Sequence, residues 1–166
     1  TSSEAVDAQW AQVENVYQRR ADLIPNLVAT VKGYASHEKE TLEAVITARS
    51  KATSTTIDAG GMNAASLQQF QQAQEGLSSA LSRLMVVVER YPDLKANQGF
   101  LDLQAQLEGT ENRITVERKR FNDEARVYNT TIKKFPNNIF AGVFNFDEKA
   151  YFQAAEAAKI APKVEF

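Results

Sequence analysis

The chain reads as an all-α protein, a single domain over residues 1–166 built as an antiparallel, up-and-down four-helix bundle with a long C-terminal helix and a docked aromatic tail. Three observations predict this. Phe100, Leu107, Ile114, Phe121, Tyr128 and Phe135 recur every seven residues, a coiled-coil-like seam about ten turns long. Elsewhere the apolar residues recur at steps of three and four, the period of one helical face. The breaks between these periodic stretches carry the Gly, Pro and Ser/Thr clusters that end helices.

The first helix carries Val6, Trp10, Val13, Tyr17, Ile24, Leu27 or Val28, Val31 and Tyr34 on one stripe. Pro25 lies inside it, removes a backbone donor and predicts a kink or short break at 22–25. Asp22 is then expected to cap the resumed helix. Lys32-Gly33 reads as the helix end, a cation in the last turn followed by a residue suited to the C-terminal position. Ser36 with Glu38 and Glu40 reads as the cap and acidic first turn of a second helix. That helix carries Leu42, Val45 and Ile46 to about Lys51. Residues 53–61 read as a surface loop.

The third helix starts near Asn63 or Ser66 and carries Phe70, Ala73, Leu77, Leu81, Leu84, Val88 and Tyr91. Its glutamine-rich part at 68–74 reads as helix with a polar outer face, because the apolar period runs through it. Tyr91-Pro92-Asp93 ends it, and Asp93 is expected to cap the long fourth helix. The second row of that helix, four residues beyond the seam, reads Gln104, Glu111, Arg118, Ala125 and Ile132. A seam with acid and base at its centre fixes register at some cost in stability. Phe135-Pro136-Asn137-Asn138 terminates the helix. The tail holds Phe140, Phe144, Phe146, Tyr151, Phe152 and Phe166; it is too apolar to hang free in water, and Asp147 is expected to cap a short helix through about Ala158.

The chain is organised around Arg19-Arg20-Ala21-Asp22-Leu23-Ile24-Pro25-Asn26-Leu27, which sets charges and an amide into an apolar helix. An unpaired buried charge costs several kcal/mol, so these groups need partners. Arg20 and Asp22, with Asn26 nearby, are expected to meet Glu111 and Arg118 of the fourth helix in a structural polar cluster.

Composition narrows the function classes. Hydrophobic residues at 43% and charged residues at 24% describe a globular chain. A net charge of −2 and a pI near 5.5 argue against nucleic acid as a partner. Without cysteine there is no disulfide, thiolate metal site or cysteine nucleophile. No run approaches the roughly 18 apolar residues of a membrane span. The start at Thr1-Ser2-Ser3 without methionine leads us to expect an upstream segment in the whole protein.

No reaction is legible. His37-Glu38-Lys39-Glu40-Thr41 opens like a zinc-protease helix but has Thr41 where the second histidine belongs, and the chain holds one histidine. His37 reads as a surface residue. Glu38, Glu40 and Glu43 with Glu108 and Glu111 lack the Glu-x-x-His pairs of a di-iron bundle and read as solvated faces and ion pairs. The basic run Arg118-Lys119-Arg120, with Arg113, Arg126, Lys133 and Lys134, is interleaved with Glu117, Asp123 and Glu124; pairs such as Arg113 with Glu117 and Arg120 with Glu124 account for it. Gly76, Gly99 and Gly109 lie in helical patterns where they would permit close helix approach. We assign no catalytic, cofactor-binding or metal residue, and no cofactor.

Arg19-Arg20-Ala21-Asp22-Leu23-Ile24-Pro25-Asn26-Leu27-Val28, running into Thr30-Val31-Lys32-Gly33-Tyr34-Ala35, resembles the signature of the LemA family of bacterial proteins. So do Glu108-Gly109-Thr110-Glu111-Asn112-Arg113-Ile114, then Arg118, Asn122, Tyr128-Asn129, Phe135-Pro136, Tyr151-Phe152 and Pro162-Lys163-Val164-Glu165-Phe166. The resemblance spans essentially the whole chain. It implies an α-helical bundle attached to the bacterial cell membrane by a single N-terminal anchor upstream of these residues, with the side of the membrane open. The expected function is a non-enzymatic membrane-associated scaffold or protein-interaction module, with protein partners or self-association and no small-molecule substrate. The alternatives are an accessory or regulatory subunit of a membrane protease or signalling system and, more distantly, a hydrolase.

Overall fold

The computed structural model of the chain describes residues 2–57, 62–133 and 149–152. The helices among them are α1 (Ser2–Tyr34), α2 (Lys39–Ser54), α3 (Ala64–Val88), the single turn α4 (Pro92–Lys95) and α5 (Gln98–Lys133). No strand occurs among the described residues. Cross-contacts fix the directions. Gln9 meets Glu117, Arg20 meets Glu111 and Tyr34 meets Asn97, so α1 and α5 run antiparallel. Ala52 meets Gln74 and Glu38 meets Tyr91, so α2 and α3 do likewise. The closest backbone pairings are α1 with α5, over roughly 50 Å of helix, and α2 with α3.

The seam predicted from the seven-residue recurrence forms the inner edge of α5. Phe100, Leu107, Ile114, Phe121 and Tyr128 are all buried; Phe135 and the helix end at Pro136 lie outside the described residues. Apolar packing falls into two separate clusters. One gathers Ile24, Leu27, Val31, Leu42, Val45, Leu77, Leu81, Leu84, Leu94 and Leu107 from α1, α2, α3, α4 and α5. The other gathers Val6, Trp10, Tyr17, Phe70, Phe121, Tyr128 and Phe152 at the opposite end of α1. The first is aliphatic apart from Phe100, with Tyr91 packed against it, and the second is largely aromatic.

Pro25 does not break α1, which runs unbroken from Ser2 to Tyr34. A proline leaves the carbonyl four residues earlier, here Ala21, without its helical donor. Arg49 of α2 supplies the replacement, its Nε donating to the Ala21 oxygen at 2.7 Å. The ring itself faces solvent. Asp22 therefore caps nothing; it is exposed and accepts from Gln18 Nε2 at 2.8 Å.

Capping differs elsewhere too. Glu38, not Ser36, holds the N-cap of α2 and makes no side-chain cap bond, because its carboxylate accepts from the Tyr91 hydroxyl at 3.1 Å. α2 continues to Ser54, so residues 53 and 54 are helical, and Ile57 beyond them is buried. Asn63 closes a capping box with Ser66 at the start of α3. Within α3, Gln71 and Gln74 are buried, so the glutamine-rich face is not wholly an outer one. Asp93 lies inside the turn α4, whereas Asn97 caps α5 by accepting from the Phe100 N–H at 2.9 Å. Gly76 and Gly109 have nothing within 4 Å of where a Cβ would stand, and at Gly99 the nearest atom is the Asn97 side chain. These glycines face solvent and permit no close helix approach.

Candidate functional site

Arg20 sits between the two apolar clusters with 1% of its surface exposed. Its Nη1 donates to Glu111 Oε1 at 2.8 Å and to Ser78 Oγ at 2.6 Å. Its Nη2 donates to the Gln74 carbonyl at 2.8 Å and to Gln74 Oε1 at 2.9 Å. Arg20 Nε alone among the guanidinium nitrogens has no partner. One side chain of α1 thus ties α3 and α5 together in a polar layer across the bundle. The planar fork suits several acceptors at once, which a lysine could not match.

Of the residues expected to meet there, the structure brings together Arg20 and Glu111. Asp22 and Asn26 point outward, Asp22 to Gln18 and the Asn26 carbonyl to Thr30 Oγ1 at 2.8 Å. Helical geometry explains this, since residues two or six positions from Arg20 do not share its face. Arg118 lies at the aromatic end, 4.9 Å from the centroid of the Phe152 ring. Gln74 and Ser78 were not read from the sequence. The available signal was spacing, because Gln74 stands on the same stripe as Phe70, Leu77 and Leu81.

A second set of polar contacts joins α1 to α5 nearer the aromatic end. Glu117, 1% exposed, accepts from Gln9 Nε2 at 2.6 Å and pairs with Arg113 at 3.3 Å and Arg120 at 3.2 Å. The expected pair of Arg120 with Glu124 gives way to this one, since the buried carboxylate is the stronger demand on the cation. Tyr17 lies between the two sets. Burial pushes its hydroxyl above the ordinary 10.0, with the nearby cations of Arg118 and Arg20 pulling the other way.

At the aromatic end α1 and α5 form a cleft that holds residues 149–152. Asn129 accepts from the Lys149 N–H at 2.7 Å and donates to the Lys149 carbonyl at 3.1 Å. Asn122 does the same for Phe152, at 2.8 Å and 3.3 Å. Seven residues of helix separate the two asparagines by about 10.5 Å. Three residues of chain cover that distance only when extended, at about 3.3 Å each. The short helix expected here is therefore absent at 149–152; the rest of its range, Asp147 and Ala158 included, lies outside the described residues, as do Phe140, Phe144, Phe146 and Phe166.

Side chains complete the grip. The Phe152 ring stacks on Trp10, at 5.9 Å between centroids, and meets Phe121 edge-on at 5.5 Å. Trp10 also meets Phe70 at 5.1 Å, and its buried Nε1 has no acceptor. Lys149 Nζ lies 5.4 Å from the centroid of Tyr128 and 3.9 Å from Asp7 Oδ1. The Tyr151 hydroxyl accepts from Asn129 Nδ2 at 2.8 Å. The arrangement holds an extended stretch of the chain's own backbone.

The candidate carboxylates and histidine do not converge. His37 is exposed, and among the described residues no group of three or more His, Cys, Asp or Glu is placed to hold a metal. A cleft of about 310 Å³ between α1 and the end of α2 is touched by Glu14, Tyr17, Thr53 and Gln74.

Comparison with known proteins follows this geometry. The profile of the LemA family matches residues 9–166. The chain is similar to magnetosome protein MamQ 2 of Paramagnetospirillum magneticum, with 28% identity over 95% of this chain and 64% of that protein. It is 26% identical to magnetosome protein MamQ of Magnetospirillum gryphiswaldense, over 99% of this chain and 68% of that one. It is 25% identical to Protein LemA of Metamycoplasma hominis, over 89% and 64%. The chain thus spans about two thirds of the length of these relatives.

Proposed function

The chain belongs to the LemA family, and from that premise we propose that it is a non-enzymatic, membrane-associated scaffold whose helices bind protein. The observation that carries this reading is the α1–α5 cleft, where Asn122 and Asn129 grip a separate stretch of chain by its backbone. Main-chain bonds with flanking side-chain pockets are a general way for one protein to hold another. The buried charges support the same reading, since Arg20 and Glu111 join α1 to α3 and α5, and Glu117 takes Gln9 of α1. Three relatives are named as magnetosome proteins. No helix among the described residues is long and apolar enough to cross a membrane, so the attachment we propose rests on a segment other than these helices. An anchor ahead of α1 would set the aromatic end of the bundle next to the bilayer.

Proximity labelling of the full-length protein in its native membrane, with matched labels on each side, tests this. Reproducible enrichment of a defined set of proteins is expected, copies of the chain included, and the side that labels reports the topology. Recovery of nothing above background would overturn the interaction reading. Substrate turnover abolished by a point mutation would overturn the non-enzymatic one.

A further inference from the structure

We propose that the α1–α5 cleft is a binding site for an extended Lys-x-x-Phe peptide, filled within one molecule by residues 149–152, and that its partner in trans is the same segment of a second copy. This deepens the interaction-module reading and rests on it.

The recognition has two parts. Asn122 and Asn129 each satisfy both the N–H and the C=O of one peptide residue, contacts available to any extended chain. The heptad spacing of the helix, about 10.5 Å, matches three residues of extended backbone. Selectivity comes from the ends. Phe152 is 5% exposed and enters a pocket of Trp10 and Phe121 beneath the Arg118 guanidinium. Lys149, three residues before it, is offered the Tyr128 face and the Asp7 carboxylate. A segment with another charge at the first position or a small residue at the last loses one of these.

Chain length argues for a second copy as the other occupant. Lys149 docks beside Asn129, about one turn from the end of α5 at Lys133. Fifteen residues of sequence, 134–148, join those points. A chain of fifteen residues reaches up to about 50 Å, several times what docking on its own helix needs. A stretch of that many residues is long enough to connect to a cleft on a neighbouring molecule. That exchange leaves each cleft filled and each asparagine satisfied, so it adds no unpaired group.

The test uses the full chain. Phe152→Ala empties the aromatic pocket without touching the cleft, and a fluorescent peptide of residues 146–155 is titrated in, followed by polarisation. Saturable binding is expected, at least about tenfold tighter than to the wild-type chain, whose own segment competes. Binding is lost with Asn122→Ala/Asn129→Ala, or with a peptide carrying Ala in place of Phe152. Helicity by circular dichroism checks that each variant folds. Phe152→Leu, which keeps most of the packed volume, is expected to bind peptide with intermediate affinity. Mixing Phe152→Ala with Asn122→Ala/Asn129→Ala supplies one intact cleft and one intact segment on different molecules. Light scattering is expected to show a complex in the mixture that neither variant forms alone. Absence of peptide binding to folded Phe152→Ala and Phe152→Leu, or binding indifferent to the asparagines, overturns the site. Peptide binding without a mixed complex overturns the second copy as occupant. In either case proximity labelling judges the interaction module separately.

Discussion

Replacing Arg20 with methionine isolates the energetics of the polar layer. The substitution keeps much of the aliphatic stem but removes the donors to Glu111, Ser78 and Gln74. The Glu111 side chain, 8% exposed, is then left as a buried carboxylate without its cation. Breaking a buried pair from one side costs about 3–5 kcal/mol, or about 10 °C in Tm for a chain of this size. Glu111→Met should cost somewhat less, because Arg20 keeps its two bonds to Gln74 and one to Ser78. Arg20→Met/Glu111→Met strands no charge. Its residual cost falls on Ser78 and Gln74; Ser78 Oγ already donates to the Gln74 carbonyl at 3.3 Å, and Gln74 Nε2 to Ala52 O at 3.5 Å. That cost is about 1–3 kcal/mol, so the double variant is expected to be more stable than Arg20→Met. Urea unfolding at unchanged slope measures all three. Additive costs in the double variant, or an Arg20→Met cost under about 1 kcal/mol, would refute the reasoning.

Two further expectations concern single groups. Arg49→Met should cost about 1–2 kcal/mol by stranding the Ala21 carbonyl, and less than half of that in a Pro25→Ala background, where residue 25 regains the N–H that bonds Ala21; equal costs in both backgrounds, by urea midpoint, would show that Arg49 is not replacing the proline's missing donor. Tyr17 has a folded pKa raised above 10.0, so its contribution is intact below pH 10 and is lost as pH climbs from there through the folded value, because the unfolded chain releases the proton first. The slope is at most about 1.4 kcal/mol per pH unit, and wild-type and Tyr17→Phe midpoints that fall in parallel between pH 9 and 11 would show the hydroxyl plays no part.

What the sequence disclosed was periodic. The recurrence from Phe100 to Tyr128 marks the buried edge of α5 because a seven-residue repeat keeps one stripe facing the core over many turns. Glu111 announced itself as a charge on the companion row of that seam, and Arg20 as a charge within an apolar helix. What stayed hidden was relational. Nothing local to Pro25 tells that a guanidinium from α2 will take over the Ala21 carbonyl, so a kink was the natural expectation. Asn97 was overlooked as a cap because Pro92-Asp93 offers a start signal five residues sooner. Asn122 and Asn129 carried their spacing of seven in plain view. Their meaning depended on residues 149–152, some twenty to thirty positions away, lying extended where a helix was expected.

The layer at Arg20 also partitions the molecule's resistance to opening. On one side four long helices share an aliphatic interior; on the other α1, α3 and α5 close around rings, with Ile57 and Phe152 from non-helical chain filling in. Local unfolding proceeds in cooperative units bounded by such breaks in packing. The backbone amides of α1 are therefore expected to divide near residue 20 into two classes of solvent exchange, although they belong to one uninterrupted rod. Its aromatic half, secured in part by four residues of tail, is expected to exchange ahead of the half that α2 encloses, and uniform protection along α1 would refute the division.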